Sequence, residues 1–312
     1  MRIVCDDQRV TVFAPAKLNL FLEVLARRPD GYHDLETVMT AIDVCDTLTL
    51  APRNDERIEL TSDCAIADRN TREQMGDVPL GSKNIVVRAL ELLRRRAAMK
   101  SGATVHLRKR IASAAGLGGA SSDAAAVLVA ANRVWRLNWG REQLAEIASE
   151  IGSDVPFFLG APAAICRGRG EIIEPHSTLP SLNVVVVRPP IGLSTPQVFQ
   201  HCRPASSPMD SRSLISAWQR GDIAALGRLM TNRLQPTAEQ LSPWIVRLRD
   251  AFASQGCYGH QMTGSGSSYF GICKSAVHAR TVGNRLRAGG MGFVYVTRTI
   301  GVSTLREEVR AA

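Results

Sequence analysis

The chain reads Ala115-Gly116-Leu117-Gly118-Gly119-Ala120-Ser121-Ser122-Asp123, and the apolar run AAAVLVAANRVW follows directly over residues 124–135. Three glycines within four positions allow backbone conformations that other residues avoid. Ser, Ser and Asp are residue types that commonly cap a helix N-terminus. The alanine-rich run behind them predicts a buried helix over Ala124–Trp135. The stretch therefore predicts a glycine loop that leads into a core helix.

A helix N-terminus behind a glycine loop is a suitable place for a phosphate group. The first N–H groups of a helix have no partner inside it, and the helix dipole adds positive charge at that end. The stretch is not a P-loop, because no Lys follows the glycines, and Ser121 stands where a dinucleotide fingerprint has its third Gly. Phosphate binding and a plain glycine turn before a core helix both remain open on this pattern alone.

The length and charge of the chain set limits on what it can be. The 312 residues are enough for two domains with a large core. Lys and Arg number 38 against 29 Asp and Glu, which gives a net charge of +9. This excess suits an anionic partner such as a nucleotide, a phosphorylated metabolite or a nucleic acid, but a solubilising surface explains it as well.

Cysteine usage and hydropathy indicate the compartment. The seven cysteines are odd in number and contain no C-x-x-C pair, which argues against a disulfide framework and against a zinc site. The N-terminus carries charges where a signal peptide needs apolar residues. No apolar run approaches the roughly 20 residues of a membrane helix. We therefore expect a cytoplasmic protein.

The remaining elements predict an α+β chain. Residues 9–24 alternate apolar and polar residues as a strand pair does, with Pro15 at a bulge, turn or edge position. Residues 84–99 predict a helix, and the polar residues 51–82 predict a strand at Ile58–Leu60 followed by a loop insertion. Residues 213–249 predict two or three helices separated by Pro236 and Pro243. A loop-rich stretch marks a domain joint near 175–190.

A second glycine-rich loop, Gly264-Ser265-Gly266-Ser267-Ser268, lies between two predicted strands near the C-terminus. By itself it is compatible with a flexible hairpin that has no function. Two loops that can surround a phosphate fit a nucleotide site better than either loop alone.

Four polar residues stand out from their apolar or turn-forming surroundings. Lys17 interrupts the strand pattern of APAKLNL, and Asp154 interrupts IGSDVPFF. A partly buried Lys–Asp pair keeps both groups charged, so that the carboxylate can accept a hydroxyl proton while the cation offsets developing charge. The alternatives are a solvent-facing Lys and a turn Asp. Tyr32-His33, after a Gly turn, can stack on a ring and hydrogen-bond its edge, or can simply lie at the surface.

Five segments in this order, APAKLNLFL, RRPDGYHDLETVM, AAGLGGASSDAA, IGSDVPFFL and MTGSGSSYFG, resemble the GHMP superfamily of small-molecule kinases. The resemblance covers nearly the whole chain. It implies a two-domain α+β kinase with its active site in the interdomain cleft, an ATP-binding N-terminal domain at 1–175 and a C-terminal domain at 176–312. It also implies ATP and Mg²⁺ as cofactors.

The Gly31-Tyr32-His33 segment is similar to the branch of the superfamily that acts on a cytidine diphosphate-linked methylerythritol. This similarity implies ATP-dependent phosphorylation of the erythritol 2-hydroxyl in the non-mevalonate route to isoprenoid precursors. It implies a monomer or homodimer without a nucleic-acid or membrane partner. The alternatives are a mevalonate- or homoserine-type kinase of the same superfamily and, from a different class, a basic RNA-binding protein of related topology.

The same resemblance assigns site residues. It implies that Lys17 and Asp154 are catalytic, and that Asn19, Tyr32, His33 and Thr195 contact the substrate. The ATP-binding residues that it implies are Asn84, Lys109, Ala112, Ser113, Ala114, Ala115, Gly116, Leu117, Gly118, Gly119, Ala120, Ser121 and Ser122. Ala112 and Ala120 depart from the family pattern, which has Pro and Gly there, and this difference bears on nucleotide affinity more than on reaction type.

Overall fold

Two long strands, β2 (Val10–Arg27) and β3 (His33–Arg53), contribute residues to both of the units into which the chain divides. The computed structural model describes residues 1–6, 9–65, 75–76 and 78–301. Unit 1 consists of Met1–Ala16, Val44–Ser113 and Gly118–Gly160, and unit 2 consists of Lys17–Asp43, Ala114–Leu117 and Ala161–Ala312. Strands and helices occur in both units, which confirms the predicted α+β class.

Unit 1 pairs short strands with the ends of the two long ones. β1 (Arg2–Cys5) is antiparallel to the start of β2, and β5 (Gly102–Lys109) is antiparallel to the end of β3. β4 (Ile58–Cys64) lies parallel to β5. The helices of this unit are α1 (Ile85–Arg96), α2 (Gly119–Val134), α3 (Arg141–Ile151) and α4 (Val155–Phe158). The alanines of the run over residues 124–131 are fully buried, as the sequence predicted.

Unit 2 contains a separate four-stranded antiparallel sheet in the order β10-β11-β8-β12. β6 (Ala163–Gly168) pairs with β3 and with β7 (Ile172–Pro175), and the short β9 (Thr231–Asn232) runs parallel to β2. The other strands are β8 (Asn183–Arg188), β10 (Gly259–Met262), β11 (Tyr269–Cys273) and β12 (Phe293–Arg298). The helices are α5 (Thr195–His201), α6 (Arg212–Gln219), α7 (Ile223–Leu229), α8 (Gln235–Leu241), α9 (Pro243–Ala253) and α10 (Ala276–Ala288).

The predicted strand pair at 9–24 is wrong, because one continuous strand, β2, passes through Pro15. Pairing between β1 and β2 ends at Phe13, so Pro15 faces no residue of β1 and its missing N–H costs no bond on that side. Part of the strand therefore has the edge character that proline requires.

Both prolines of the 213–249 region lie in the first turn of a helix, so the helices are divided at both prolines, as predicted. Pro243 is the first residue of α9, and Pro236 lies in the first turn of α8. Proline is tolerated there, because the first N–H groups of a helix have no partner within the helix. The number of helices in this region is larger than predicted.

The strand predicted at Ile58–Leu60 is present as the start of β4, and the loop predicted after it lies only in part within the described residues. β4 continues to Cys64, and residues 66–74 and 77 lie outside the described part of the chain.

The two contiguous domains predicted at 1–175 and 176–312 differ from the two units, whose segments alternate along the chain, because β2 and β3 carry residues 17–43 into unit 2. Among the described residues, no helix combines the length and apolar character needed to cross a membrane.

Candidate active site

The helix that follows the glycine loop, α2, begins at Gly119, five residues before the predicted start at Ala124. Gly118, with φ of 69°, occupies the N-cap position, and α2 begins at Gly119. The predicted capping role of Ser121, Ser122 and Asp123 is therefore wrong, since these residues lie in the first turns of the helix. A Cβ at position 119 would lie 2.8 Å from Cγ2 of Ile111, so the helix start requires glycine for packing.

The start of α2 fits a bound anion. Its first N–H groups have no partner within the helix, and they lie at the positive end of the dipole. The hydroxyl of Ser122 is buried and has no hydrogen-bond partner within the described residues. Ala120 is exposed and Ser121 half-buried, so neither closes this end of the helix. A phosphate oxygen would supply the acceptor that these donors lack.

In unit 2 the other part of the glycine loop contacts the second glycine-rich loop. Gly116 has φ of 72°, and a Cβ there would lie 2.3 Å from the carbonyl oxygen of Thr263. The N–H of Ser268 donates to the carbonyl of Ala115 at 3.1 Å. The two glycine-rich loops, whose residues Gly116 and Thr263 are 147 positions apart in the chain, are thus packed against each other at residues 115–116 and 263–268.

Lys17 lies at the junction of these loops. It is only 4% exposed, so a solvent-facing role is wrong. Its backbone N–H donates to the carbonyl of Leu117 at 2.9 Å, and its Nζ donates to Oδ1 of Asn19 at 2.7 Å. A Cβ on Gly264 would lie 3.2 Å from Nζ, so the absence of a side chain there makes room for the ammonium group.

Asn19 is fully engaged by its neighbours. Its Nδ2 donates to Oγ1 of Thr37 at 2.9 Å, and its backbone N–H donates to Oγ1 of Thr263 at 3.1 Å. The hydroxyl of Thr263 also donates toward Oδ1 of Asn19 at 3.2 Å. This network orients the amide oxygen that receives Lys17. The orientation of Lys17 therefore depends on Asn19.

The three other predicted substrate residues also lie in unit 2. His33 is buried, and its ring centre lies 5.4 Å from that of Phe199 on α5. Burial lowers the pKa of His33, and the charge of Arg27 adds to this effect, so the ring is neutral near pH 7. Tyr32 is 55% exposed, with the Arg169 guanidinium 5.1 Å from its ring centre. Thr195 shares a 2.7 Å hydrogen bond with Ser265 of the second glycine loop.

Asp154 belongs to unit 1, where it is half-buried at the start of α4. Its φ and ψ of −84° and −11° continue directly into this short helix. Pro156 and the two phenylalanines that follow it are buried, so the backbone around Asp154 is held by packing. The pairing of Asp154 with Lys17 stays a prediction.

Lys109, a predicted ATP-binding residue, lies in a buried ionic cluster that the sequence did not reveal. Its Nζ contacts Asp46 and donates to Oδ2 of Asp123 at 2.7 Å. Asp46 also accepts a hydrogen bond from the backbone N–H of Ile111 at 2.8 Å. The cluster therefore connects β3, the end of β5 and the first turns of α2.

The ionisation of this cluster depends on burial. Burial raises the pKa of Asp123 to about 8, with Lys109 opposing the shift and Asp46 adding to it. Burial alone would lower the pKa of Lys109, but the charges of Asp123 and Asp46 hold it above its ordinary value. Lys109 is therefore a cation at neutral pH, and the pKa of Asp123 lies above that of an ordinary carboxyl group.

Replacing Asp123 by Asn (D123N) is expected to reduce the loss of stability that the protein shows as the pH rises. The folded pKa of about 8 lies above the ordinary value of 3.8, so folding retains a proton between these values. Stability from this proton is fully present below about pH 4 and is lost as the pH rises through the folded pKa. The Asn side chain does not ionise.

The measurement is the midpoint of thermal unfolding between about pH 6 and pH 9. The matched control is Asp222→Asn, at an exposed N-cap, which is expected to follow the wild-type slope. Parallel curves for D123N and wild type would show that Asp123 does not carry the extra proton.

A cavity of about 190 Å³ in unit 1 lies beside this cluster. Lys109 and Ser113 line it, together with Cys64 at the end of β4 and Met75 and Val78 from the segment that the sequence treated as an insertion. The backbone N–H of Ser113 donates to the carbonyl of Met75 at 2.8 Å. Two predicted ATP-binding residues thus border one cavity.

Two further predicted ATP-binding residues, Asn84 and Ala112, are buried in unit 1. Asn84 caps α1, because its Oδ1 accepts a hydrogen bond from the N–H of Val86 at 2.8 Å and its Nδ2 donates to Pro79. Within the described residues, no group of three or more His, Cys, Asp or Glu side chains forms a metal site.

The sequence matches two protein families. Residues 84–161 match the GHMP kinases N terminal domain, and residues 214–290 match the GHMP kinases C terminal family. The first match contains the glycine loop, α2 and Asp154, and the second contains the second glycine loop. The class of protein is therefore that of the GHMP kinases, with their two-domain α+β fold.

Two proteins that resemble this chain over almost their whole length identify a particular family within the GHMP kinases. The chain is 38% identical to the 4-diphosphocytidyl-2-C-methyl-D-erythritol kinase of Pelotomaculum thermopropionicum, covering 93% of this chain and 98% of that one. It is 35% identical to the kinase of the same name from Shouchella clausii, covering 95% and 96%. The chain belongs to the family of 4-diphosphocytidyl-2-C-methyl-D-erythritol kinases.

Solved structures agree with this membership. A crystal structure of 4-(cytidine 5'-diphospho)-2C-methyl-D-erythritol kinase matches with a TM-score of 0.78 and 33% identity, covering 93% of this chain and 99% of that one. A homoserine kinase from Cytophaga hutchinsonii matches with a TM-score of 0.74, covering 96% and 97%, but at 18% identity, which supports the shared fold alone.

Proposed function

We propose that this chain transfers the terminal phosphoryl group of ATP to the 2-hydroxyl of 4-diphosphocytidyl-2-C-methyl-D-erythritol, a step of the non-mevalonate route to isoprenoid precursors. The observation that carries this proposal is the packing of two glycine-rich loops around the buried Lys17–Asn19 pair. Membership of the kinase family supports the donor, and the similarity to kinases named for this substrate supports the acceptor.

The residues present fit the phosphates of ATP, with which Mg²⁺ would enter. The N–H groups at the start of α2 and the buried hydroxyl of Ser122 would bind phosphate oxygens, and Lys109 and Ser113 border the cavity that would take the rest of the nucleotide. ATP would supply the phosphoryl group, and Mg²⁺ entering with it would neutralise charge on the phosphates.

The proposed chemical roles divide between a carboxylate and an amine. Asp154 accepts the proton of the attacking hydroxyl. Lys17, with its ammonium oriented by Asn19, offsets the negative charge that grows on the reacting oxygens. Phosphoryl transfer needs mainly alignment and charge stabilisation, and a lysine buried among rigid loops supplies both.

Base recognition is assigned to Tyr32 and His33, and Thr195 is a further substrate contact. Tyr32 offers an exposed ring face, and the neutral His33 has one donor and one acceptor for a base edge. Thr195 links the N-terminal turn of α5 to the second glycine loop. Binding energy gained at the base can align the distant hydroxyl.

Replacing Tyr32 by Ala (Y32A) is expected to lower kcat/KM for the cytidyl substrate by about 10-fold, in line with the loss of one aromatic face from a base. The control is Tyr258→Ala, another exposed tyrosine of unit 2, which should behave as wild type. Steady-state kinetics of ADP release measure both. An unchanged kcat/KM in Y32A would exclude base stacking on Tyr32.

The test of the proposal is an ADP-release assay with a substrate panel. Turnover is expected with 4-diphosphocytidyl-2-C-methyl-D-erythritol, and far less with cytidine-free methylerythritol, mevalonate or homoserine. Preferred turnover of mevalonate or homoserine would establish one of the alternative kinases. Salt-sensitive RNA binding without ADP release would favour the RNA-binding alternative. A cytoplasmic monomer or homodimer without nucleic-acid or membrane partners stays a prediction.

A further inference from the structure

The second glycine loop is held in place by a side chain distant from it in sequence. Asn232 lies in β9 and is only 6% exposed. Its Nδ2 donates to the carbonyl oxygens of Met262 at 2.8 Å and of Gly264 at 2.9 Å. These two carbonyls flank Thr263. One amide group therefore binds the backbone on both sides of the threonine.

The strand of Asn232, β9, is paired with β2, which is the strand that carries Lys17. The Oδ1 of Asn232 accepts the N–H of Leu234 at 3.0 Å, and β9 pairs with β2 at Phe21 and Leu22. Lys17 is part of that same β2. Asn232 therefore connects the second glycine loop to the strand of Lys17.

The backbone that Asn232 holds makes three contacts with the candidate active site. The hydroxyl of Thr263 binds Asn19, its carbonyl lies against the α-carbon of Gly116, and Gly264 lies against the ammonium of Lys17. A shift of this turn would move Asn19, Gly116 of the first glycine loop and Lys17 together.

We propose that Asn232 is a positioning residue of the kinase reaction, which it supports by fixing the Thr263–Gly264 turn against Lys17 and Gly116. This inference rests on the function proposed above. Asn232 acts through the turn, and its required chemistry is the donation of two hydrogen bonds. Its contribution to packing is secondary.

Two substitutions separate donation from packing. Asn232→Asp (N232D) keeps the shape but places an oxygen against two carbonyl oxygens, which is unfavourable in a buried site. Asn232→Ala (N232A) leaves a cavity, but it places no acceptor there and gives water access to the carbonyls. A donating role predicts that N232D is the more damaging, and a packing role predicts the reverse.

The experiment measures kcat, KM for ATP and amide hydrogen exchange of residues 263–268. The exchange is measured without nucleotide, so it stays informative whatever the reaction is. The control is Thr299→Val, which removes a buried side-chain acceptor of the Leu182 N–H elsewhere in unit 2. We expect N232D to lower kcat by about 10- to 100-fold, as displacement of reacting groups does, and N232A to lower it less.

The N–H groups of Thr263 and Gly266 are hydrogen-bonded within this loop, and that of Ser268 to Ala115 of the first loop. Exchange at these three N–H groups is expected to rise in N232D and to stay at the wild-type level in Thr299→Val. N232A with lower kcat than N232D would overturn the donating role. Unchanged exchange in N232D would also overturn the donating role. Absence of activity of the wild type on the cytidyl substrate would count against the proposed function alone, because the exchange measurement does not depend on that activity.

Discussion

The Asp154→Ala variant (D154A) is expected to turn over about 100- to 10,000-fold more slowly than wild type while its affinity for ATP is retained. A general base contributes to the barrier of the chemical step, whereas the phosphates are assigned to backbone N–H groups at the start of α2. Asp154→Asn keeps the shape without the basicity and is expected to be about equally slow.

The measurements are kcat from ADP release and the ATP dissociation constant from calorimetry. The control is Asp222→Ala, which removes a carboxylate at another helix N-cap and should leave kcat unchanged. Turnover of D154A near the wild-type rate would refute the assignment of Asp154 as the base.

Gly116→Ala (G116A) has the second large expected effect. The new methyl group would lie 2.3 Å from the carbonyl oxygen of Thr263 and 2.9 Å from that of Gly266, so the two glycine loops cannot keep their contact. Because Lys17 and Asn19 are arranged around the same turn, we expect kcat/KM for ATP to fall by about 100-fold or more.

A control for G116A separates the collision from backbone strain. Gly221 has φ of 73°, close to that of Gly116, but a Cβ there would meet nothing within 4 Å. Gly221→Ala therefore carries only the cost of a left-handed residue, about 1–2 kcal/mol. Equal kinetics in the two alanine variants would mean that the contact between the loops is not needed for activity.

Local pattern was sufficient to predict most secondary elements and the two glycine-rich loops. The glycine loop, the helix behind it and the second loop each have a short sequence signal, and the structure brings the two loops together at Gly116 and Thr263. The early start of α2 was missed because a glycine in a left-handed conformation, Gly118, replaced the side-chain cap that Ser and Asp suggested.

Residues whose partners are remote in sequence could not be predicted. Asp46 and Asp123 meet Lys109 from different elements, and each resembles an ordinary turn or cap residue in its own stretch. Asn232 contacts carbonyls 30 and 32 positions away, and the local sequence TNRLQ contains no motif that predicts these hydrogen bonds. Buried polar groups of this kind become apparent only when their hydrogen bonds are traced through the fold.

The fold alone does not determine the substrate. The homoserine kinase from Cytophaga hutchinsonii has nearly as high a TM-score as the cytidyl-substrate kinase, yet its identity is 18% against 33%. The choice of acceptor must therefore lie in side chains, and Tyr32 and His33 are the residues on which the proposal depends.

The most direct test of the account is phosphorus NMR of the product formed from ATP and 4-diphosphocytidyl-2-C-methyl-D-erythritol. The account predicts one new phosphate monoester on the 2-hydroxyl with the diphosphate linkage intact, formed by wild type and almost absent with D154A. A phosphate on another oxygen, cleavage of the diphosphate, or ADP formation without a phosphorylated acceptor would contradict it.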